Sequence, residues 1–255
     1  MIKEYHRPKT LDAALALLSR PSPKTAPLGG GTSVRNKPEI EAVVDLQDLG
    51  LGEITLKGSA VDLGAMVRLQ SIVDSPLVPA GLRTAALEET GSNLRNMVTI
   101  GGLVAGGDGT SLVKTLLVTM DAEMHWAPAD QSVGLGDWLS GDRQESYQLI
   151  TQIGVPKTVD VRYYTVRRSP ADVPLVIVAV CRWQSGRIRI AGGGRTRQPF
   201  LISDGKEGEL SDQMVAEMSY NSHSHYDYQW ASSEYYLEIL KRLIVRGVQP
   251  MEVAQ

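Results

Sequence analysis

Five glycines fall within fourteen residues at 99–112, TIGGLVAGGDGTSL, and no other stretch constrains the chain as tightly. Glycine loses more backbone freedom on folding than any other residue, so a helix or strand gains nothing from such density. A sequence that accepts this cost needs its backbone close to something else. LGGGTSV at 28–34 repeats the theme between two strand-like segments, and AGGGR at 191–195 does so after another.

Successive glycines let neighbouring backbone N–H groups converge on a concave nest that holds an anion. In the first run Leu28, Gly29, Gly30, Gly31, Thr32, Ser33 and Val34 form such a loop, with two hydroxyls added. In the second, Thr99, Ile100, Gly101 and Gly102 do the same, with Gly106, Gly107 and Asp108 following. A pair of such loops suits the diphosphate of a dinucleotide; the alternative is a pair of tight turns that bind nothing. Common nucleotide templates do not fit. Lys114-Thr115 follows Val113 rather than the glycine that a Walker A loop needs. Neither loop has GxGxxG spacing between a strand and a helix. The third run has no paired loop and reads as a bulge or turn.

Around these loops the pattern alternates between helix and strand. Thr10 caps a helix carrying Leu11, Leu15 and Leu18 on one face. AVVDL is a strand ending near Asp45, and GEITLKGSAVDLGAM reads as a hairpin turning at Lys57-Gly58. VRLQSIVDS and GLRTAALEETG are amphipathic helices, and SLVKTLLVTMDAEMHW passes from helix to strand. After residue 158 come strands (TVDVRYYTVRRS, PLVIVAVCRWQSG, RIRIAGGG) and then two helices, GELSDQMVAEMS and ASSEYYLEILKRLIVRGV. The expected organisation is α+β. One domain covers 1–157, with parts at about 1–54 and 55–157, and a small sheet-plus-helices domain covers 158–255.

A net charge of −3 gives no reason to expect nucleic acid, whose binding relies on clustered Lys and Arg. The one cysteine, Cys181, sits in an apolar strand and reads as a buried, inert thiol; one thiolate cannot hold an iron–sulfur cluster. No signal peptide opens the chain and no run is long enough to span a membrane, so the expected place is the cytoplasm. The histidines His6, His125, His223 and His225 stand in no triad context, and HSHYDY at 223–228 reads as an aromatic contact loop rather than a metal site. No catalytic and no metal-ligating residue is expected. Arg95 is expected to brace the second loop through backbone carbonyls, and Arg167 and Arg168 to end a strand in solvent or to lie near a ligand's edge.

Several segments together resemble the flavin-binding medium subunit of the molybdenum hydroxylases, the xanthine dehydrogenase and carbon monoxide dehydrogenase group. YHRPKTLDAALALL is similar to that family's opening Tyr-x-x-Pro and first helix, and LGGGTSV resembles its Ala-Gly-Gly flavin loop. VVDLQDL and LGAMVRLQSI match the segments that follow, and GSNLRNMVTIGG resembles Gly-Ser-x-x-Ile-Arg-Asn-x-x-Thr-Ile-Gly-Gly. LLVTMDAEM, YQLITQIGVP and the closing helix follow in order. The resemblance covers nearly the whole chain. It implies a two-part FAD-binding domain of the PCMH type and a C-terminal domain of the CO dehydrogenase flavoprotein type. The implied role is an oxidoreductase subunit that passes electrons through FAD to an acceptor. The implied partners are a molybdopterin-binding large subunit and an iron–sulfur small subunit.

The resemblance also implies FAD on Leu28 to Val34, on Thr99 to Gly102 and near Asp108. Two anchors depart from the family pattern: Leu103 stands where Asn is usual, and Leu112 where Asp is usual. The alternative expectation is therefore a structural subunit on the same fold that has lost FAD.

Overall fold

The computed structural model describes residues 2–34, 37–129, 131–141, 149–208 and 232–249. In chain order the elements begin with β1 (Glu4–His6), α1 (Leu11–Leu18), β2 (Thr25–Leu28), β3 (Ala42–Asp45), β4 (Ile54–Lys57) and β5 (Ala60–Gly64). Next come α2 (Leu69–Asp74), α3 (Ala80–Glu89), α4 (Ser92–Arg95), α5 (Ile100–Gly106) and α6 (Leu112–Thr119). Then follow β6 (Glu123–Ala127), β7 (Gln131–Gly134), α7 (Leu135–Ser140) and β8 (Leu149–Pro156). The chain closes with β9 (Asp160–Val166), β10 (Val176–Arg182), β11 (Arg187–Gly194), β12 (Phe200–Lys206) and α8 (Ser233–Val248). GELSDQMVAEMS and HSHYDY lie outside the described residues.

These elements gather into two compact units, each assembled from separate stretches of chain. The first holds Met1–Val78, Ala86–Gly107 and Asp121–Lys157; the second holds Pro79–Ala85, Asp108–Met120 and Thr158–Gln255.

In the first unit, β1, β3 and β2 form a parallel sheet in that order. Parallel strands need covering, and β3 is buried throughout. Helix α1 supplies the cover, and its Ala14 and Leu18 join Val44, Leu46 and Leu149 in one apolar cluster. Thr10 starts the helix by accepting from Ala13 N at 3.3 Å. Asp45, only 2% exposed, is satisfied by the Tyr5 hydroxyl and by Gln47 N at 3.0 Å. The hydrogen bond to Asp45 raises the Tyr5 phenol above its ordinary pKa. A second sheet, antiparallel, runs β4-β5-β8-β6-β7. Its central members bury Val61, Leu63, Ile153, Val155 and Met124, and Asp62 between the first two is buried as well.

In the second unit, β12-β11-β10-β9 form an antiparallel sheet. Strand β10 is buried on both alternating sets of residues from Val176 to Cys181, so both of its faces need a cover. Helix α8 packs Tyr236, Leu240 and Ile244 against Val176, Val178 and Val180. Helix α6, in contact with β10 and β11, is buried at every one of its eight residues. Cys181 lies buried within β10. Arg182 fixes the end of α8, donating from Nη2 to Gly247 O at 2.8 Å and Val248 O at 3.0 Å.

One expectation for the glycine runs needs correction, and one holds in part. Residues 100–106 are helix α5, not loop. Thr99 caps it, and Gly101 is forced by packing, since a Cβ there would stand 2.8 Å from Ala65. Residues 191–194 are the end of β11 rather than a turn, and the expected bulge falls at their start, as a register shift at Ile190/Ala191. Gly193 is required because a Cβ would come within 2.5 Å of Thr115 Oγ1 on α6. In both places glycine serves close approach of one element to another rather than a turn.

Candidate functional site

Helix α5 and the 29–34 loop meet within the first unit, and a cleft of about 220 Å³ opens between them. Its lining takes Gly29 to Val34 from one side and Thr99, Gly102, Leu103, Gly106 and Gly107 from the other. The described lining residues carry no charge.

The two sides play different parts. On α5 the first N–H groups are already used: Ile100 N donates to Val67 O at 2.8 Å, Gly101 N to Ala65 O at 2.9 Å and Gly102 N to Thr99 Oγ1 at 3.3 Å. This end of the helix is tied into the fold and is not the open nest expected from its glycines. In the other loop, among the described residues, no hydrogen bond takes up the N–H groups of Gly29, Gly30, Gly31, Thr32 or Ser33, nor the two hydroxyls. Gly31 has φ +75°, a left-handed conformation that turns the loop back over the cleft. Backbone donors left free around a concave space are chemically able to hold an anion.

Packing explains why the loop takes this path. A Cβ on Gly30 would overlap the Met97 carbonyl, and one on Gly29 would lie 2.6 Å from Thr99 Oγ1. The loop therefore presses its backbone against the segment that leads into α5. Gly106 is different: a Cβ there would touch Ser33 at an ordinary 3.6 Å, so its lack of side chain widens the cleft rather than permitting the fold.

Arg95 holds this segment in place. Nη1 donates to Thr90 O at 2.7 Å and Leu87 O at 2.9 Å, and Nε to Gln70 Oε1 at 3.1 Å. It is the expected carbonyl brace. Arg168 pairs with Asp172 at 3.2 Å on the surface of the second unit.

The other candidate residues fall into three groups. Leu28 ends β2 opposite Asp45 and does not line the cleft. Ile100 is fully buried, and Gly101 is buried where α5 packs on Ala65. Asp108 belongs to the second unit, and the cleft lining stops at Gly107. Its carboxylate accepts from Thr110 N at 2.9 Å and Thr110 Oγ1 at 2.5 Å, which shapes the turn before α6. Of the two departures from the family pattern, Leu103 lines the cleft at 8% exposure. Leu112 is 1% exposed within the second unit's helix α6, so it is a core residue there rather than a cofactor wall.

A second, smaller cavity of about 110 Å³ shares Pro27, Gly29, Thr99 and Gly102 with the cleft. It is apolar, and its remaining walls include Leu46, Met66, Ala105, Trp126 and Ile150. Sequence reading did not find it. These residues come from distant segments, and each taken alone looks like ordinary core. Trp126 is held by Trp138, with ring centroids 5.6 Å apart and tilted by 44°.

Comparison with known proteins places these features in a family. A family model described as the FAD binding domain in molybdopterin dehydrogenase matches residues 1–158. The carbon monoxide dehydrogenase medium chain of Afipia carboxidovorans is 30% identical over 200 residues, covering 72% of this chain and 69% of that one. A protein of Escherichia coli named YgfM, described as uncharacterized, is 28% identical over 226 residues and 85% of each chain. Among solved structures, reconstituted CO dehydrogenase from Oligotropha carboxidovorans superposes with a TM-score of 0.82 at 24% identity over 96% of both chains.

Proposed function

The chain belongs to the family of FAD-binding domains in molybdopterin dehydrogenases, and on that premise we propose that it is the flavin-holding electron-transfer subunit of a molybdenum-containing hydroxylase or dehydrogenase. One observation carries the reading: the N–H groups of Gly29 to Ser33 are unclaimed among the described residues and surround a cleft. These donors and the hydroxyls of Thr32 and Ser33 fit a diphosphate, and the apolar cavity next to them fits a ring.

FAD supplies redox chemistry when bound. The work of this chain is to bind and orient it. The loop donates from Gly29 to Ser33, Thr99 holds the shape of the opposite wall, and Gly102 and Gly106 leave space. Asp108 has no place in this set. The reading assigns 1–157 to the FAD-binding domain and 158–255 to the C-terminal domain. It adds a molybdopterin-binding large subunit and an iron–sulfur small subunit as partners, in keeping with relatives named medium chains and with the single cysteine. Electrons would reach the flavin from clusters in the partner chain.

A second reading, a scaffold subunit without flavin, draws on two observations: Leu103 makes part of the cleft apolar, and the first N–H groups of α5 are spent internally. One experiment separates the two. The purified chain is incubated with excess FAD, desalted, and scanned in the visible. Retained flavin bands support the electron-transfer subunit; a colourless protein supports the scaffold.

A further inference from the structure

The antiparallel sheet of the first unit turns one face away from its core. Side chains alternate along a strand, so those next to the buried Val61, Leu63, Ile153 and Val155 point to the opposite face. Register aligns four of them in one row: Thr55 on β4, Asp62 on β5, Gly154 on β8 and Glu123 on β6. Gln152 and His125 face each other in the next row. Thr55 and Glu123 are exposed.

Asp62 is the exception. It is only 8% exposed, and among the described residues no hydrogen bond or ion pair reaches its carboxylate. Lys57, exposed further along β4, forms no ion pair with it. Taking a carboxylate out of water without a cation is unfavourable. The group leans over Gly154, where a Cβ would stand 3.4 Å from Asp62 Oδ1. Neither a left-handed φ nor a backbone clash demands glycine here, since the nearest backbone atom outside its own neighbours, Glu123 O, is 3.9 Å from that Cβ position. The missing side chain therefore leaves a gap in the row, with Asp62 on one bank and Glu123 on the other. Ser132 Oγ steadies Glu123 by donating to its Oε2 at 2.9 Å.

Spacing selects the occupant. Neighbouring strands lie about 4.8 Å apart, so the two acidic positions stand about 10 Å apart across β8. A metal ion bonds oxygens at about 2.0–2.6 Å and does not bridge such a gap, and the described residues contain no group of three metal-ligating side chains. An ammonium is a compact point charge and meets one bank at a time. A guanidinium is planar and gives two donors of its fork to one carboxylate while others remain for a second. The gap lies on an exposed strand surface, which suits a side chain delivered by a docked protein rather than a small molecule that must be enclosed. We infer that the gap over Gly154 receives an arginine side chain of a partner chain, held by Asp62 and Glu123. The inference is independent of flavin binding, since none of these residues lines the cleft or the apolar cavity.

The experiment follows backbone amides of the isotope-labelled, full-length chain by NMR at fixed ionic strength. Capped Gly-Arg-Gly, capped Gly-Lys-Gly and agmatine are titrated into wild type, Asp62→Asn and Gly154→Ala, and urea unfolding is measured on the same proteins. The arginine peptide is expected to shift amides of β5, β8 and β6 saturably, with the lysine peptide clearly weaker. Gly154→Ala should weaken the arginine peptide with little change in stability. Asp62→Asn should weaken it at least about tenfold and, by removing a buried charge without a partner, raise the urea midpoint of the chain alone. A lowered midpoint in Asp62→Asn overturns the inference, because Asp62 is then an anchor of the fold. Equal responses to the arginine and lysine peptides overturn it too, as general attraction of cations. So do binding unmoved by Asp62→Asn and the absence of saturable shifts. Agmatine binding without peptide binding also sinks it, since the gap then serves a free guanidine and no docked chain.

Discussion

The carbonyl oxygen of Met97 occupies the space where a side chain on residue 30 would begin. The first glycine run is thus pinned by the backbone that leads into α5, and the cleft's shape depends on that contact. Gly30→Ala sets backbone against Cβ, and backbone yields less readily than a side chain. It is expected to cost at least about 1–3 kcal/mol and to abolish FAD retention. Gly106→Ala makes an ordinary contact instead, so its melting temperature should stay near wild type while FAD affinity falls. Thermal unfolding and flavin retention, measured on both variants, distinguish a packing glycine from a space-making one.

Thr99 is 3% exposed and accepts from Gly102 N. Thr99→Ala removes the helix cap and should cost about 0.5–2 kcal/mol in urea denaturation, with Thr99→Ser restoring most of it.

Leu103 and Leu112 diverge in the same experiment. Leu103→Asn places an amide in the cleft and should keep the fold and strengthen FAD uptake. Leu112→Asp buries a carboxylate at a site 1% exposed and should cost at least about 3 kcal/mol. A stable Leu112→Asp chain with gained flavin would refute this view of α6.

Lys114 is fully buried, and its Nζ donates to Gln198 Oε1 at 2.6 Å. Gln198→Leu takes that acceptor from a charged donor, and a loss of about 1.5–3 kcal/mol is expected from urea midpoints.

Asp204 receives Arg187 at 2.6 Å and Arg189 at 3.1 Å, and the Arg187 hydrogen bond, then the charge of Arg189, holds its carboxyl below the ordinary range. A depressed folded pKa stabilises above the unfolded value of about 3.9 and loses that contribution as pH falls through the folded value. Asp204→Asn should therefore lower the urea midpoint at neutral pH. The gap to wild type should close as the pH drops below the ordinary carboxylate range.

Sequence pattern revealed most strands and helices because their periodicity is local. The hairpin turning at Gly58, the closing helix α8 and the cap at Thr10 all appear where spacing puts them. Short β1 and β7 escaped, since three or four residues show no period. Helix α5 was hidden because its glycines answer to Ala65 and Thr99, contacts that no local rule contains. The glycine loop from Gly29 to Val34 was legible as a local feature, whereas the apolar cavity walled by Trp126 and Ile150 was not, for its residues meet only in the folded first unit.

Helix α6 belongs to the same compact unit as a sheet whose first strand begins about forty residues later in the chain. A growing polypeptide leaves the ribosome N-terminus first. The face of α6 that packs on β10 and β11 must therefore wait, uncovered, until those strands have been synthesised. A product truncated before β9 would carry that face permanently bare, and such a fragment should depend on chaperones for solubility.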